Sequence, residues 1–211
     1  DDTYPVIAEV LSARGYATAG FVANTKFLSD LFGLGRGFGV WKDQPIMAGV
    51  VVTHSWLARS IIGPVRHRLG NHQMLQRKTA DAVNEEFVAW LDGREPRPFF
   101  AFLNYFDAHE PYLPPEPWNL RFSETQPLYW SEPDKKNEDY TAAEIAELAT
   151  AYESSIAYLD NRIQLLFEAL AARGLLDSTL VVITSDHGEG MGERRGAAGH
   201  AYSLNRELVD V

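Results

Sequence analysis

Hydrophobic positions along this chain follow two rhythms, one repeating near 3.6 residues and one of unbroken apolar runs of strand length. The longest helical rhythm lies between Ala142 and Arg173. There Ile145, Leu148, Ala149, Tyr152, Ile156, Leu159, Ile163, Leu166, Phe167 and Leu170 recur on one stripe, and Gly174 supplies the stop. A helix of this length, roughly 45 Å at about 1.5 Å per residue, can lie across a whole face of a sheet. A shorter stripe (Val6, Ile7, Val10, Leu11) predicts a helix from Tyr4 to Arg14, with Thr3 and Gly15 as its caps. Lys78 to Leu91 predicts another, with Ala82, Phe87, Trp90 and Leu91 for the core, and Met47 to Ile62 a further one.

Three apolar runs predict strands: Tyr16 to Ala23, Phe99 to Phe106, and Thr179 to Thr184, the last read as the buried central strand. Helix and strand alternate, and no repeat or linker interrupts them, so the pattern predicts an α/β fold with a mostly parallel sheet. The whole of residues 1–211 reads as a single domain. Asn24 to Asp43, with four alternating glycines, predicts an irregular loop anchored by Phe38 and Trp41. Glu116 to Tyr140 predicts a surface loop, a lid or cleft wall, and Glu193 to Gly199 a glycine-bearing loop that delivers His200.

Composition narrows the functional classes. A chain of 211 residues with 45% hydrophobic and 23% charged content has the makeup of an ordinary globular domain. The net charge of −10 and the lack of basic clusters argue against nucleic acid or anionic lipid as partner. A small anionic substrate is still admissible, because a bound cation reverses the local field. No cysteine is present, which excludes disulfides, thiolate metal sites and a cysteine nucleophile from this stretch. No apolar run reaches membrane-spanning length. Oligomeric state is open.

Two of the predicted strands run directly into polar chemistry. Phe99–Phe106 leads to Asp107-Ala108-His109-Glu110-Pro111-Tyr112, and Thr179–Thr184 leads to Ser185-Asp186-His187-Gly188-Glu189. Parallel strands bring their carboxyl ends to one edge, so His109 and the Asp186/His187 pair are expected at one crevice, with His200 on the loop that follows. One carboxylate and three imidazoles at one edge suit a metal-assisted attack on an anionic ester. Blander readings stand beside this one: a backbone-bonded loop histidine at 109, a solvent-facing His200, and Asp186 capping a turn. Asp107 reads as an Asx-turn former, Glu110 and Glu189 as supporting or surface residues, and His54, His67 and His72 as structural or exposed.

Several blocks resemble one family in its own order: Gly15-Tyr16-Ala17-Thr18-Ala19, Gly35-Arg36-Gly37-Phe38, Pro98-Phe99-Phe100 to His109-Glu110-Pro111-Tyr112, Tyr152 to Asp160, Gly174 to Thr179, Ser185-Asp186-His187-Gly188-Glu189 and Gly199-His200. Together they resemble the sulfatase family of the alkaline phosphatase superfamily. The resemblance implies an alkaline-phosphatase-like sandwich with helices on both faces of the sheet, and hydrolysis of sulfate esters. It implies that Asp186 and His187 bind one divalent metal ion, Ca²⁺ foremost, with Mn²⁺ or Zn²⁺ admissible from the imidazole. It makes His109 the general acid at the leaving oxygen and His200 the contact to the sulfate or phosphate oxygens, with Asp160 structural. A periplasmic or extracellular location follows only by analogy.

Two departures carry consequences. Where arylsulfatases have a Lys and a His after the strand, this chain has Phe21-Val22-Ala23-Asn24, which keeps phosphodiesters and phosphonate monoesters open as substrates. The Cys/Ser-x-Pro-x-Arg pattern that carries the formylglycine nucleophile is absent. The nearest string, Ile62-Gly63-Pro64-Val65-Arg66, has no reactive side chain at its head, and Asp1-Asp2 do not match the upstream metal-binding acidic pair. The sequence therefore predicts a chain cropped at both ends, with the nucleophile upstream and the fragment itself inactive. Alternatives are a two-metal phosphodiesterase or phosphotransferase of the same superfamily, using Asp107, His109 or His200 as ligands, and a catalytically dead binding domain.

Overall fold

In the computed structural model, the described residues are 3–44, 77–123, 140–193, 198–200 and 206–209. The helix predicted from Met47 to Ile62 and the histidines at 54, 67 and 72 lie outside them. The chain divides into two compact units, residues 1–107 and 108–211.

The first unit is built on a parallel sheet. Its strands are β1 (Ala17–Val22), β2 (Val40–Lys42) and β3 (Phe99–Asn104), in the order β2-β1-β3. β1 is buried along its whole length, as its apolar, uncharged sequence requires of a strand with a neighbour on each side. It pairs with β3 from Ala17↔Phe99 to Val22↔Asn104 and with β2 from Ala19↔Val40 to Phe21↔Lys42. Helix α1 (Ile7–Ala13) precedes β1, and α2 (Ala80–Gly93), capped by the Thr79 hydroxyl on Ala82 N–H, precedes β3.

The face of the sheet that carries Ala17, Ala19 and Phe21 packs on α2, with Phe21 against Phe87 and Trp90 at ring distances of 5.6 and 6.0 Å. The other face gathers Phe38, Trp41, Phe100 and Phe102. Gly20 lies on that face, where a Cβ would collide with the Trp41 ring. The stretch 24–43 is more ordered than its glycines predict, because β2 forms within it beside β1. In α1 the buried position is Ala8, while Ile7 of the predicted stripe is exposed. The loop crossing α1 at Gly37 leaves no space for a larger side chain there.

The second unit is organised around α3 (Ala142–Ala172), which opens with a complete capping box between Thr141 and Glu144. Its buried positions are Leu148, Ala151, Ser154, Ser155, Tyr158, Leu166 and Leu170. Part of this face thus consists of small residues outside the predicted apolar stripe, and Ile156 is exposed. Trp118 and Tyr158 meet edge to face at 6.3 Å, docking the single turn 118–120 on the helix. A short antiparallel pair forms between β4 (Gly190–Met191), just before the predicted glycine loop, and β5 (Ala198–Gly199), at that loop's end, and α4 (Arg206–Val209) follows. Among the described residues no helix is long and apolar enough to cross a membrane.

One prediction is corrected here. The run Thr179–Thr184 belongs to no named strand, and Leu180 is 90% exposed, with Val182 and Ile183 also in solvent. Its β-branched residues favour an extended backbone, but a strand is buried only when neighbours on its edges and faces cover it, and none of the described residues does so. The parallel sheet itself is present, from the other two predicted strands together with β2.

Candidate functional site

The polar tips predicted to carry chemistry gather in the second unit. Ser185 Oγ donates to the His187 carbonyl at 2.6 Å, and Gly188 N–H donates to the Leu208 carbonyl at 2.9 Å. These bonds hold the turn after the apolar run, with buried Leu208 fastening it to α4. The hairpin then reverses the chain. Its register pairs Gly190 with Gly199, so Glu189 and His200 stand opposite each other at the next position. Gly199 has a φ of 96°, a conformation that glycine adopts without strain and that sets the direction in which the chain leaves for His200.

Three imidazoles meet. The His187 and His200 ring centres are 4.2 Å apart, and those of His109 and His200 are 4.9 Å apart. Each ring has its Nδ1 engaged. His109 donates to the Glu110 carbonyl and His187 to the Gly188 carbonyl, both at 2.7 Å, since a carbonyl oxygen can only accept. His200 Nδ1 is 3.0 Å from Oε1 of Glu189, whose carboxylate likewise accepts. In all three rings Nε2 is therefore the nitrogen turned to further chemistry.

Glu189 is the least accessible charged group of the cluster, its side chain 5% exposed against 21% for His200. Its Oε2 also accepts from the Tyr112 hydroxyl at 2.7 Å. Tyr112 is buried with Leu148 and Ala151, and its ring meets Tyr152 edge to face at 5.3 Å. Burial, and then the neighbouring Glu189 carboxylate, push the Tyr112 hydroxyl far above the usual phenol range, which keeps it a donor. Tyr152 is raised for the same two reasons, burial first. The sequence offered Glu189 as a supporting or surface residue and Tyr112 only as part of a family-like block. The usable signal was weak: an acid two residues past His187 and a tyrosine three past His109.

Asp186 and His187 adjoin at the tip of the turn, with Asp186 Oδ1 4.0 Å from His187 Nε2 and the carboxylate 92% exposed. Two donors this far apart can bind one cation at about 2.0–2.4 Å each, so the pair fits two places of a divalent shell. Among the described residues no third acidic or imidazole group joins them as a metal cluster. Asp107 lies in the first unit, buried, with Oδ1 accepting from Ala80 N–H at 3.2 Å. The bond reaches a backbone N–H 27 residues away, at the start of α2, rather than closing the local Asx turn that the position predicts. Asp160 lies on α3, exposed.

The family model for sulfatases matches residues 1–208. Over 134 residues the chain is 31% identical to the choline-sulfatase of Rhizobium meliloti (strain 1021), covering 60% of this chain and 26% of that protein. It is 24% identical over 138 residues to the multifunctional alkaline phosphatase superfamily protein PehA of Trinickia caryophylli, covering 52% and 27%. It is 27% identical over 127 residues to an arylsulfatase of Clostridium perfringens (strain 13 / Type A), covering 53% and 26%. The matches thus span about a quarter of each curated relative's length. Among solved structures, the phosphonate monoester hydrolase of Agrobacterium radiobacter superposes with a TM-score of 0.65 at 18% identity, over 99% of this chain and 51% of that one. At that identity the likeness is one of fold, a mixed α/β architecture.

Proposed function

The chain belongs to the sulfatase family, and from that premise we propose that the natural protein hydrolyses a small anionic ester, a sulfate ester in the first instance. The observation that carries this is the convergence of His109, His187 and His200, each held through Nδ1 so that Nε2 is the working nitrogen. His109, fixed by the Glu110 carbonyl, is the proton donor: when charged, its Nε2–H protonates the departing alkoxide oxygen. His200, when protonated on both nitrogens, offers Nε2–H to a negative oxygen of the group being transferred, which stabilises charge that grows in the transition state. Asp186 and His187 would hold a divalent cation, which when bound screens the ester's negative oxygens and polarises the bond to be broken. Ca²⁺ suits the carboxylate, Mn²⁺ or Zn²⁺ the imidazole. The nucleophile, formylglycine or another group, is not among these residues.

A second reading, phosphonate monoester or phosphodiester hydrolysis, is favoured by Phe21-Val22-Ala23-Asn24, which lacks the lysine and histidine that arylsulfatases place there. The named activity of the Agrobacterium structure points the same way. For the two-metal alternative Asp107 would have Oδ2 alone to offer, since Oδ1 accepts from Ala80 N–H. The deciding experiment is a substrate panel on the full-length natural protein, with aryl and alkyl sulfates, phosphonate monoesters and phosphodiesters. His109→Ala should slow alkyl esters, which have poor leaving groups, about 10²-fold or more while sparing aryl esters. Equal losses on both would remove the general-acid role, and no turnover on any of the panel would leave the binding-domain reading.

A further inference from the structure

We propose that Glu189 is a positioning residue for His200, and that Tyr112 holds Glu189 in that role. This rests on the hydrolase reading above for its use, but not for its geometry. Glu189 and His200 face each other across the first position beyond the β4–β5 pairs, so the hairpin itself sets their separation. The carboxylate is nearly removed from solvent, and a buried carboxylate is costly unless donors satisfy it. Among the described residues it has two: the Tyr112 hydroxyl at 2.7 Å and His200 Nδ1–H at 3.0 and 3.2 Å. Tyr112 is in turn locked by the core on α3, through Leu148, Ala151 and Tyr152. The line Tyr112–Glu189–His200 therefore anchors a partly exposed imidazole to a rigid helix.

The consequence is chemical. A lone neutral imidazole in water prefers its proton on Nε2. The Glu189 carboxylate, accepting only, holds a proton on Nδ1 and fixes the ring plane. Nε2 is thereby the nitrogen left for chemistry, on a ring whose centre is 4.9 Å from that of His109 and 4.2 Å from that of His187. Groups that orient a ligand or catalytic histidine in this way typically change activity by about 10- to 100-fold when removed.

The test uses the full-length protein labelled with ¹⁵N-histidine, with the His200 ring assigned by comparison with His200→Gln. At a pH where the ring is neutral, the two-bond ¹⁵N–¹H correlations of the unaltered protein should show the Nδ1–H tautomer, and finding Nε2–H would overturn the proposal without any variant. Glu189→Ala should shift His200 toward Nε2–H and lower kcat about 10- to 100-fold. Glu189→Gln, which retains an acceptor of the same reach, should keep the Nδ1–H signal and most of kcat. An Ala variant with an unchanged tautomer, or a Gln variant as impaired as Ala, would show that the carboxylate is merely structural. The ring spectrum needs no substrate. A protein without esterase activity would thus refute the hydrolase reading, while the tautomer still decides the role of Glu189.

Discussion

At the scale of single residues, the most consequential group outside the imidazole cluster is Asp107. Desolvation raises its carboxyl to about 6 from an ordinary 3.8, against the lowering effects of the Ala80 N–H bond and of Arg77, and Asp81 adds to the rise. One oxygen is satisfied by Ala80 N–H, and the other is buried with no hydrogen-bond partner among the described residues. A carboxyl whose folded value is raised binds its proton more tightly when folded. Between about pH 4 and pH 6 the folded chain therefore holds a proton that the unfolded chain has released, and stability falls as pH rises through that window, by at most about 3 kcal/mol. Asp107→Asn keeps an acceptor for Ala80 and removes the titration. Urea unfolding of the variant should lose this part of the pH slope and show higher stability than the parent at pH 7; an unchanged slope would contradict the assignment. His109 and His187 were legible as candidates because each follows an apolar run, whereas Glu189 and Tyr112 owe their roles to burial and to partners 11 and 77 positions away in the chain.

At the scale of elements, periodicity located the helices well. Thr79 and Thr141 cap α2 and α3 where the local sequence permits, and β1 and β3 lie within two predicted runs. Its failures share one cause. Val40–Lys42 is too short to announce itself and becomes a strand by pairing with β1. Thr179–Thr184 announces itself strongly and is not a strand, because nothing among the described residues pairs with it or covers it. That leaves Leu180, Val182 and Ile183 exposed in one extended stretch, the kind of surface that pairs with other chains. The isolated 211-residue chain should therefore self-associate at micromolar concentration and bind a hydrophobic dye. Val182→Lys should reduce both, as read by light scattering and dye fluorescence. A monodisperse parent with no dye binding would show that this run is covered in solution. Gly20 illustrates the opposite constraint: Gly20→Ala forces a methyl into the Trp41 ring and should cost about 1–3 kcal/mol in the unfolding free energy, measured by denaturant titration.

At the scale of the whole molecule, family membership and the cluster of three imidazoles point the same way, while the residues that would start the reaction are not in hand. The 211 residues contain no cysteine and no Cys/Ser-x-Pro-x-Arg pattern. We therefore expect the isolated chain to turn over no aryl sulfate, and measurable hydrolysis by it would overturn that expectation. In the full-length protein a chelator should abolish turnover, and elemental analysis should find one divalent ion per chain; two would favour the two-metal alternative.

What the sequence determined by itself is what short-range chemistry dictates: where helices and β-branched runs lie, the alternation that makes an α/β fold, the acidic charge, and the Asp-His pair set beside glycine. What only the tertiary structure decided is which of those segments find partners. A strand needs a neighbour to pair with, an orphan carboxylate needs donors, and an imidazole needs an acceptor to choose its proton. The pairing that sets Glu189 opposite His200, and the helix face that locks Tyr112 against Glu189, arise from contacts between distant residues, and no local pattern encodes them.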